Sequence, residues 1–461
     1  MIEKKTAKKI LDILKKSGGD FSEIFAQKRV SNNLRLEDRK IENSNSGFEI
    51  GCGLRLISKD STFYAYVDSL EKESLLNAAK VLSAAVSEKA KGSVLDLNER
   101  KSNYKIKVSS HPFNVGQQYK KEILDEMDQS ARQYNSSIIQ VTATISDMEE
   151  EVFIANSEGF FSIDSIVKVF TAVNVVAKKG NEIRTGYESL AKTKGYEIFS
   201  DKKPGDIAIE ASRMAVTMLD AVNAPAGSMA AVIGNAFGGV IFHEACGHGL
   251  EADSIIKDAS VFKGKTGKKI ASSVVTAVDD CTLPFHWGSY SFDSEGFPSG
   301  KNVLIEEGVL KGYLSDYKSS IKMGMKQTGN GRRQSYKDIP VPRMSNTYID
   351  KGKNTKDEII KSVTKGVFAK EFAGGQVDPA TGDFVFGISE GYLIENGKIC
   401  EPIKGATLIG NGPDILMKIE AVGQDLDFAP GFCGKAGQSV SNEVGQPTIL
   451  IGSITVGGTQ V

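Results

Sequence analysis

The chain has few cysteines and histidines and no excess of charge of either sign. Its 461 residues include five cysteines and four histidines. An odd number of cysteines spread over so long a chain is not the disulfide framework of a small secreted protein, so we expect a reducing compartment and a cytoplasmic protein. The 57 lysines and arginines nearly cancel the 58 aspartates and glutamates. This balance argues against a nucleic-acid partner.

Long apolar runs are also missing. No stretch of 18 consecutive apolar residues occurs, which is about the length a membrane helix needs. The first segment, MIEKKTAKKILDILKKSGGD, carries many lysines without a continuous apolar core, and we therefore predict neither a signal peptide nor a membrane anchor. Its apolar residues Ala7, Ile10, Leu11 and Leu14 instead have the spacing of an amphipathic helix.

The length of the chain predicts more than one domain, because single cores stop growing at about 250 to 300 residues. Helical and strand-like segments alternate up to Pro and Gly punctuation at residues 223–228. We therefore predict an α+β fold with an N-terminal mixed helix and sheet region at 1–222 and a C-terminal domain at 223–461. A further division of the first region into 1–108 and 109–222 is an alternative.

The C-terminal half predicts a strand-rich, mostly antiparallel domain. Two hairpins resemble each other, VLIEEGVLKGYL and YLIENGKICEPI, and the Asn396-Gly397 pair of the second is a strong turn signal. A helix follows Thr355, where Thr355 and Glu358 form a capping box. The remaining segments are short and broken by glycine.

The stretch IFHEACGHGLEAD, residues 241–253, holds two of the four histidines. His243 and His248 are five residues apart, and a regular α-helix would point them about 140° apart. A π-type turn would bring both rings to one side, and Gly247 and Gly249 loosen the helix around His248. We predict a distorted helix here.

The chemistry of this stretch favours a metal site. Neutral imidazole is a preferred zinc ligand, and zinc lowers the pKa of a bound water to about 7. Glu244, next to His243, is placed to take the proton of that zinc-bound water and pass it to a leaving amine, which is metal-assisted amide hydrolysis. The alternative is that both histidines are hydrogen-bonded core residues and Glu244 is a surface charge, since the spacing departs from H-E-x-x-H.

A catalytic zinc needs a third protein ligand, and spacing alone leaves the choice open. Cys433, in GFCGKAGQS, is the most suggestive candidate because glycines at 431 and 434 would let the backbone bring a thiolate close. Cys246 is interpreted as a small buried thiol and His286 as a packed loop residue. The full set of candidates is Cys246, Glu251, Asp253, Cys281, His286 and Cys433.

A family resemblance adds to this interpretation. The pattern H-E-A-x-G-H-G-L-E-x-D matches residues 243–253, and it is followed in order by DSEGFPSGKNVLIEEGVLKGYL, TGNGRRQSY, PRMSNTYI, GGQVDPATGDFVF, KGATLIGNG, CGKAGQS and TVGGT. With these motifs the chain resembles the metal-binding, TldD-type members of the TldD/TldE (PmbA) metallopeptidase family. The resemblance covers most of the chain.

The resemblance implies a zinc-dependent peptidase acting on peptides or unfolded polypeptides. Its metal ligands would be His243, His248 and Cys433, and Glu244 would be the general acid and base. The expected partner is a metal-free TldE-like relative in a heterodimer, with a homodimer as the alternative. Cys246 departs from the family pattern, in which an aliphatic residue is common, and as a thiol near the metal it would compete with Cys433.

Two further interpretations concern binding. Arg332 and Arg333, in GNGRR, are candidate clamps for a peptide carboxylate or a developing oxyanion, with a basic surface turn as the alternative. An extended peptide would pair with a sheet edge near the metal. The competing function is a binding module in which zinc is held by four protein ligands and only links the loop of Cys433 to the motif helix.

Overall fold

The protein is a mixed α+β structure, as the sequence predicts. The computed structural model describes residues 1–86, 93–101, 108–378 and 380–459. Within them the α-helices are α1 Lys4–Lys16, α2 Lys72–Ala84, α3 Gln117–Tyr134, α4 Pro204–Thr217, α5 Val240–Phe242, α6 Ala252–Ile256, α7 Tyr317–Met323, α8 Lys356–Lys361 and α9 Gly412–Met417. No helix in these ranges combines the length and the apolarity that crossing a membrane requires.

Most of the N-terminal region is one seven-stranded sheet. Its strands are β1 Phe21–Glu37, β2 Lys40–Ser58, β3 Ser61–Val67, β4 Asn98–Glu99, β5 Ile138–Asn156, β6 Phe160–Lys179 and β7 Glu182–Lys192. Strand β1 pairs with both β2 and β5, so strands β1–β3 and strands β5–β7 belong to one continuous sheet. Helices α1 and α2 cover one part of it and α3 and α4 another, each over its own apolar core.

One tight turn in this sheet contains no glycine. Strand β1 ends at Glu37, and the chain reverses at Asp38 and Arg39 into β2. Both residues have positive φ, 45° and 71°. Glycine usually marks such a turn. Here the Asp38 carboxylate accepts hydrogen bonds from Arg132 and from the Val141 N–H, which hold the turn without glycine.

The C-terminal half contains the remaining, mostly antiparallel strands. They are β8 Val222–Asn223, β9 Gly227–Ile233, β10 Ala277–Asp280, β11 Lys301–Glu306, β12 Val309–Leu310, β13 Gly331–Arg332, β14 Val341–Pro342, β15 Asn346–Ile349, β16 Lys365–Val377, β17 Asp383–Glu395, β18 Lys398–Lys404, β19 Thr407–Asn411, β20 Ile419–Val422, β21 Asp427–Lys435, β22 Gln438–Gln446 and β23 Ile449–Gly457. The two hairpins expected from the sequence are β11–β12 and β17–β18. The capping box of Thr355 and Glu358 begins α8.

Two sheets frame the C-terminal core. Strands β16, β9, β23, β19 and β17 pair in a closed ring, because β17 also pairs back with β16. A six-stranded sheet has the order β12-β11-β10-β15-β22-β21, so that β21 is its edge strand. The motif segment after β9 contributes Phe242, Ala245 and Leu250 to the core. The motif is therefore held by buried apolar contacts.

Buried ion pairs join the two halves of the molecule. Arg55 on β2 is bonded to Glu23 on β1 at 2.7 Å and to Glu295 of the C-terminal half, and Arg333 also pairs with Glu23. All four side chains are buried. Removing one member of such a network would leave an uncompensated buried charge, so these contacts fix how the halves meet. The division of the chain at residue 222 stays a prediction.

A second group of charges lies where α4 meets β16 and β17. Arg213 on α4 bonds both carboxylate oxygens of Glu390 on β17, at 2.9 and 2.7 Å. Lys370 on β16 lies 3.1 Å from Glu390. Burial raises the pKa of the neighbouring Glu371 to about 8, and the negative charges of Glu188 and Glu390 add to the rise. The protonated form of this carboxyl is therefore favoured.

Candidate metal centre

The motif segment has the distortion that its histidine spacing predicts. After the short helix α5, residues His243–Gly247 form a π-helical turn, and residues His248–Leu250 a 3₁₀ turn. A π turn pairs residues five apart, which places His243 and His248 on the same side. Their rings lie 5.1 Å apart, centre to centre, and nearly perpendicular.

Gly247 has a steric role in this turn in addition to the flexibility expected from the sequence. A Cβ atom at this position would lie 2.3 Å from Sδ of Met344, far inside van der Waals contact. Met344 is fully buried. The glycine therefore lets the π turn pack directly on the segment that precedes β15.

His243, His248 and Cys433 lie together. Taking one donor atom from each residue, all three atoms lie within 4.8 Å of one another. Sγ of Cys433 is 3.4 Å from Nε2 of His248. A carboxylate oxygen of Glu244 is 3.7 Å from the same Nε2, and the Glu244 side chain is 34 % exposed. The arrangement thus places two imidazoles, one thiol and one accessible carboxylate around a common point.

The environment of Cys433 favours its thiolate. Burial opposes ionisation, but hydrogen bonds and the charges of His243 and His248 outweigh it and lower the pKa of the Cys433 thiol to about 4. The thiolate is the form that binds metal ions. Cys433 lies on the edge strand β21, where its carbonyl accepts a hydrogen bond from the buried Arg343. The backbone at the thiol is thereby anchored.

Glu251 holds His248 from the other side of the ring. Its carboxylate lies 2.9 Å from Nδ1 of His248 and accepts a hydrogen bond from Nζ of Lys435 at 2.9 Å. Lys435 also donates to Asp253 at 2.6 Å. Burial raises the pKa of Glu251, but the positive charges of His248 and Lys435 outweigh it and lower that pKa to about 2. Glu251 is therefore an ionised acceptor that leaves Nε2 of His248 facing the cluster.

Asn442 on β22 gives His243 a comparable contact. Its side-chain amide lies 3.3 Å from Nδ1 of His243, and both side chains are buried. Sequence reasoning did not assign roles to Asn442 or Lys435, and it considered Glu251 only as a ligand. A sequence signal for Glu251 exists, because a residue three positions after His248 lies beside it on a helical turn.

The other candidates for the third ligand lie outside the cluster. Cys246 is buried in the apolar core, and burial raises the pKa of its thiol, as expected of a small core residue. Cys281 is also buried and contacts the hydroxyl of Tyr290. His286 hydrogen-bonds to Glu443. Asp253 is bonded to Lys435, as described above.

Arg332 and Arg333 have protein partners. Arg332 donates to the carbonyls of Met344 and Ser441, at 2.6 and 2.7 Å. Arg333 pairs with Glu23 and also donates to the carbonyl of Ser294. Both arginines are buried, so neither forms the basic surface turn that was the alternative. A direct role of either in binding substrate stays a prediction.

Two solved structures share the whole fold. One is a protein of Thermotoga maritima described as a modulator of a DNA gyrase, with a TM-score of 0.82, 21 % identity, and 98 % of this chain and 99 % of that chain covered. The other is TldE of Thermococcus kodakarensis, with a TM-score of 0.80, 20 % identity, and 98 % and 100 % covered. At this identity they show the fold alone, which is the α+β fold of the TldD/TldE proteins.

Sequence comparison identifies the family. Models of PmbA/TldA metallopeptidase domain 1, central domain and C-terminal domain match residues 22–86, 110–219 and 226–458. A TldD-homologue metalloprotease of Haemophilus influenzae is 38 % identical, over 98 % of this chain and 95 % of that protein. A metalloprotease of Methanocaldococcus jannaschii is 34 % identical, over 95 % and 96 %. The chain belongs to the PmbA/TldD metallopeptidase family, as its motifs indicate.

One more distant relative carries a metal in its name. A zinc metalloprotease TldD homologue of Saccharolobus solfataricus is 25 % identical, over 96 % of this chain and 97 % of that protein. Its name states zinc for that protein.

Proposed function

We propose that this protein is a zinc-dependent peptidase in which His243, His248 and Cys433 hold the metal and Glu244 is the general acid and base. The observation that carries the proposal is the convergence of those three donor atoms within 4.8 Å, with the Glu244 carboxylate beside them. Names of relatives as metalloproteases, one of them a zinc metalloprotease, support it.

The donor set fits zinc. Two imidazoles and one thiolate are ligands that zinc takes in catalytic sites, where a fourth position stays open. Among the described residues three donor atoms converge within 4.8 Å, and the half-exposed Glu244 carboxylate, 3.7 Å from Nε2 of His248, is not one of them. Three converging donors favour the enzyme over a binding module, whose structural zinc would need four protein ligands. The ion, when bound, supplies Lewis acidity that acidifies water and polarises the peptide carbonyl.

The proton transfers fall to Glu244. Its carboxylate is accessible while His243 and Cys433 are buried, so a water and a substrate amide can approach it. In the proposed reaction Glu244 takes the proton of the water that attacks the carbonyl and then gives it to the amine that leaves. Glu251 and Asn442 take no proton and hold the two histidine rings in place.

The edge strand β21 is the proposed place for the substrate backbone. It carries Cys433, pairs with β22 on one side and has no strand partner on the other among the described residues. An extended peptide can add to such an edge by main-chain hydrogen bonds. Main-chain hydrogen bonds do not depend on the side chains of the peptide, so we propose peptides or unfolded polypeptides as the substrate class.

The proposed partner is a metal-free TldE-like relative in a heterodimer, with a homodimer as the alternative. The TldE structure that shares the fold supports a related partner of the same shape. The proposed compartment is the cytoplasm, since the buried and half-buried cysteines of the described residues are free.

The test compares hydrolysis of an unfolded polypeptide by the zinc-loaded wild type and by Glu244→Gln, with products read by mass spectrometry. A matched control is Glu306→Gln, an exposed glutamate that pairs with Lys311. We expect the control to cut like the wild type and Glu244→Gln to lose cutting by at least about 10²-fold at equal zinc content.

Two outcomes would count against the proposal. If Glu244→Gln cuts as fast as the wild type, Glu244 is not the base. If the wild type binds zinc but hydrolyses no polypeptide, either alone or mixed with a TldE-like relative, the binding module becomes the better hypothesis.

A further inference from the structure

A cleft of about 830 Å³ lies between the N-terminal sheet and the C-terminal half. The hairpin of β21 and β22 separates it from the metal cluster. In this hairpin Phe432 is paired with Ser441, and Cys433 with Val440. Paired residues of antiparallel strands share a face and successive residues alternate. Cys433 therefore faces the histidines, while Phe432 and Ser441 face the cleft.

Three aromatic rings form one wall of the cleft. Phe170 on β6, Trp287 and Phe432 have ring centres 5.7 to 6.1 Å apart. Phe432 is 59 % exposed although its ring belongs to this group. An exposed aromatic side chain at the rim of a pocket is a common feature of binding sites.

A buried lysine lies beside this wall. Nζ of Lys168 donates to the carbonyl of Trp287 at 2.6 Å and to the hydroxyl of Ser441, and it lies 4.8 Å from the centre of the Trp287 ring. Lys168 retains 8 % of its exposure and lines the cleft. Its two hydrogen-bond acceptors are neutral, and the described residues give its third N–H no acceptor.

Arg332 is the second cation on this side of the hairpin. Its acceptors are two neutral carbonyls, as described above, and its guanidinium lies over the ring of Tyr290. In the described part of the chain no carboxylate lies within 4.0 Å of Lys168 or Arg332, whereas Arg29 in the same cleft is paired with Glu150 at 2.9 Å. Unpaired buried cations are costly and favour an anion in the space next to them.

The pKa of Lys168 agrees with an excess of positive charge. Burial lowers that pKa to about 7, and the charge of Arg332 lowers it further. Glu150 and Glu443 act in the opposite direction, and Arg29 in the same direction as Arg332. A carboxylate arriving in the cleft would offset the cost of the charged ammonium.

We propose that this cleft binds a carboxylate of the peptide substrate, with Lys168 as the direct contact, Arg332 as a supporting charge and the rings of Phe170, Trp287 and Phe432 as an apolar wall. The proposal rests on the proposed peptidase function and adds a preference to it. Side chains of an extended peptide paired with β21 would alternate between the two faces of the hairpin. One set would face the metal cluster and the other set the cleft.

The carboxylate can belong to an acidic side chain or to the C-terminus of the peptide. Three N-acetylated probes separate these sources. They are acetyl-Ala-Phe-Ala-Asn amide, which has no carboxylate, acetyl-Ala-Phe-Ala-Asp amide, and acetyl-Ala-Phe-Ala-Asn with a free C-terminus. They differ in one functional group at a time. Their binding is measured on the full-length, zinc-loaded Glu244→Gln protein, so that the probes stay intact.

Trp287 provides a direct readout, because it is the only tryptophan of the chain and lies in the cleft wall. We expect at least one carboxylate probe to change its fluorescence saturably and to bind about 10- to 100-fold more tightly than the amide probe. If only the Asp probe binds more tightly, the ligand is an acidic side chain. If only the free-acid probe binds more tightly, the ligand is the C-terminus of the peptide. Added salt should reduce the difference.

Lys168→Met tests the contact, with Lys179→Met as the matched control. Lys179 lies at the exposed end of the same strand and pairs with Asp220. We expect Lys168→Met to remove the preference for a carboxylate and Lys179→Met to keep it. Should Lys168→Met fail to fold, the comparison of the three probes on the unmutated cleft still decides the question.

Equal affinities for the three probes, or no saturable change in Trp287 fluorescence, would overturn the proposal. A preference that survives in folded Lys168→Met would overturn the role of Lys168. These results are independent of hydrolysis, because binding is read without turnover. Conversely, cutting of polypeptides by the wild type would support the peptidase even if the cleft shows no preference for a carboxylate.

Discussion

Glu251→Gln should weaken zinc binding although Glu251 is not one of the proposed ligands. One carboxylate oxygen of Glu251 accepts from His248 and Lys435, and the other accepts from the N–H of Met344 at 3.3 Å. Glutamine keeps the shape but has one oxygen and one NH₂ group. In one orientation of the amide its NH₂ group faces the donors of His248 and Lys435, and in the other it faces the N–H of Met344. The negative charge beside Lys435 is lost in both.

The structure gives the magnitude. Glu251 is fully buried, and hydrogen bonds to charged groups contribute about 1.5–3 kcal/mol each. Losing the charge-assisted contact and leaving a buried donor unsatisfied should lower the free energy of unfolding by about 3 kcal/mol. Because His248 loses the group that fixes its ring, zinc affinity should fall by about 10- to 100-fold.

The assay is competition for zinc with a chromophoric chelator, with thermal unfolding measured on the same samples. Asp253→Asn is the matched control, since Asp253 also bonds Lys435, whereas among the described residues the carboxylate on Nδ1 of His248 is that of Glu251. We expect this control to lose about 1 kcal/mol of stability and to bind zinc like the wild type.

The reasoning is refuted if Glu251→Gln binds zinc as tightly as the wild type. It is also refuted if Asp253→Asn lowers zinc affinity equally, because the effect would then come from Lys435 rather than from the orientation of His248. A loss of stability alone would assign Glu251 a structural role only.

The remaining predictions concern pH, a helix cap and a close backbone contact. The raised pKa of Glu371 makes its ionisation costly in the folded state, so wild-type stability should fall between pH 4.5 and 8 through this group. Chemical denaturation should show Glu371→Gln gaining up to about 5 kcal/mol over the wild type across that interval, and a constant difference would contradict the raised pKa of Glu371. Thr355→Ala removes the cap of α8 and should cost about 1 kcal/mol, measured by urea denaturation, whereas an unchanged midpoint would mean that the end of α8 is frayed. In Gly239→Ala the new Cβ would lie 2.7–2.8 Å from backbone atoms of Gly445, which should cost about 2 kcal/mol in thermal unfolding. Gly434→Ala, with nothing within 4 Å of the new Cβ, should be close to neutral, and equal losses would rule out the steric explanation.

Several local features could be predicted because they depend on neighbouring residues. The amphipathic spacing of α1, the Asn396-Gly397 turn and the capping box of α8 each involve residues within one or two turns of chain. The turn at Asp38 has no comparable local signal. Its stabilising partners, Arg132 and Val141, are distant in sequence and become neighbours only in the folded sheet.

Gly434 has no steric role among the described residues. The sequence suggested that glycines beside Cys433 let the backbone approach the metal. The structure has open space around Gly434, so the glycine is not required by sterics at that position. The position of Cys433 comes from the pairing of β21 with β22 and from the hydrogen bond of Arg343 to its carbonyl.

By itself, the sequence determined the α+β fold class, the family and the distortion of the motif helix, since five-residue spacing fixes how far apart two side chains point on a helix. Spacing left six candidates for the third ligand, the flanking glycines made Cys433 the most suggestive of them, and the family motif favoured it. The tertiary structure decided which thiol lies beside the histidines, because Cys433 is 185 residues from His248 and reaches it through sheet pairing. It also decided that Glu251 supports a ring and that Lys168 lies in a cleft, since burial and long-range contacts depend on how whole elements pack.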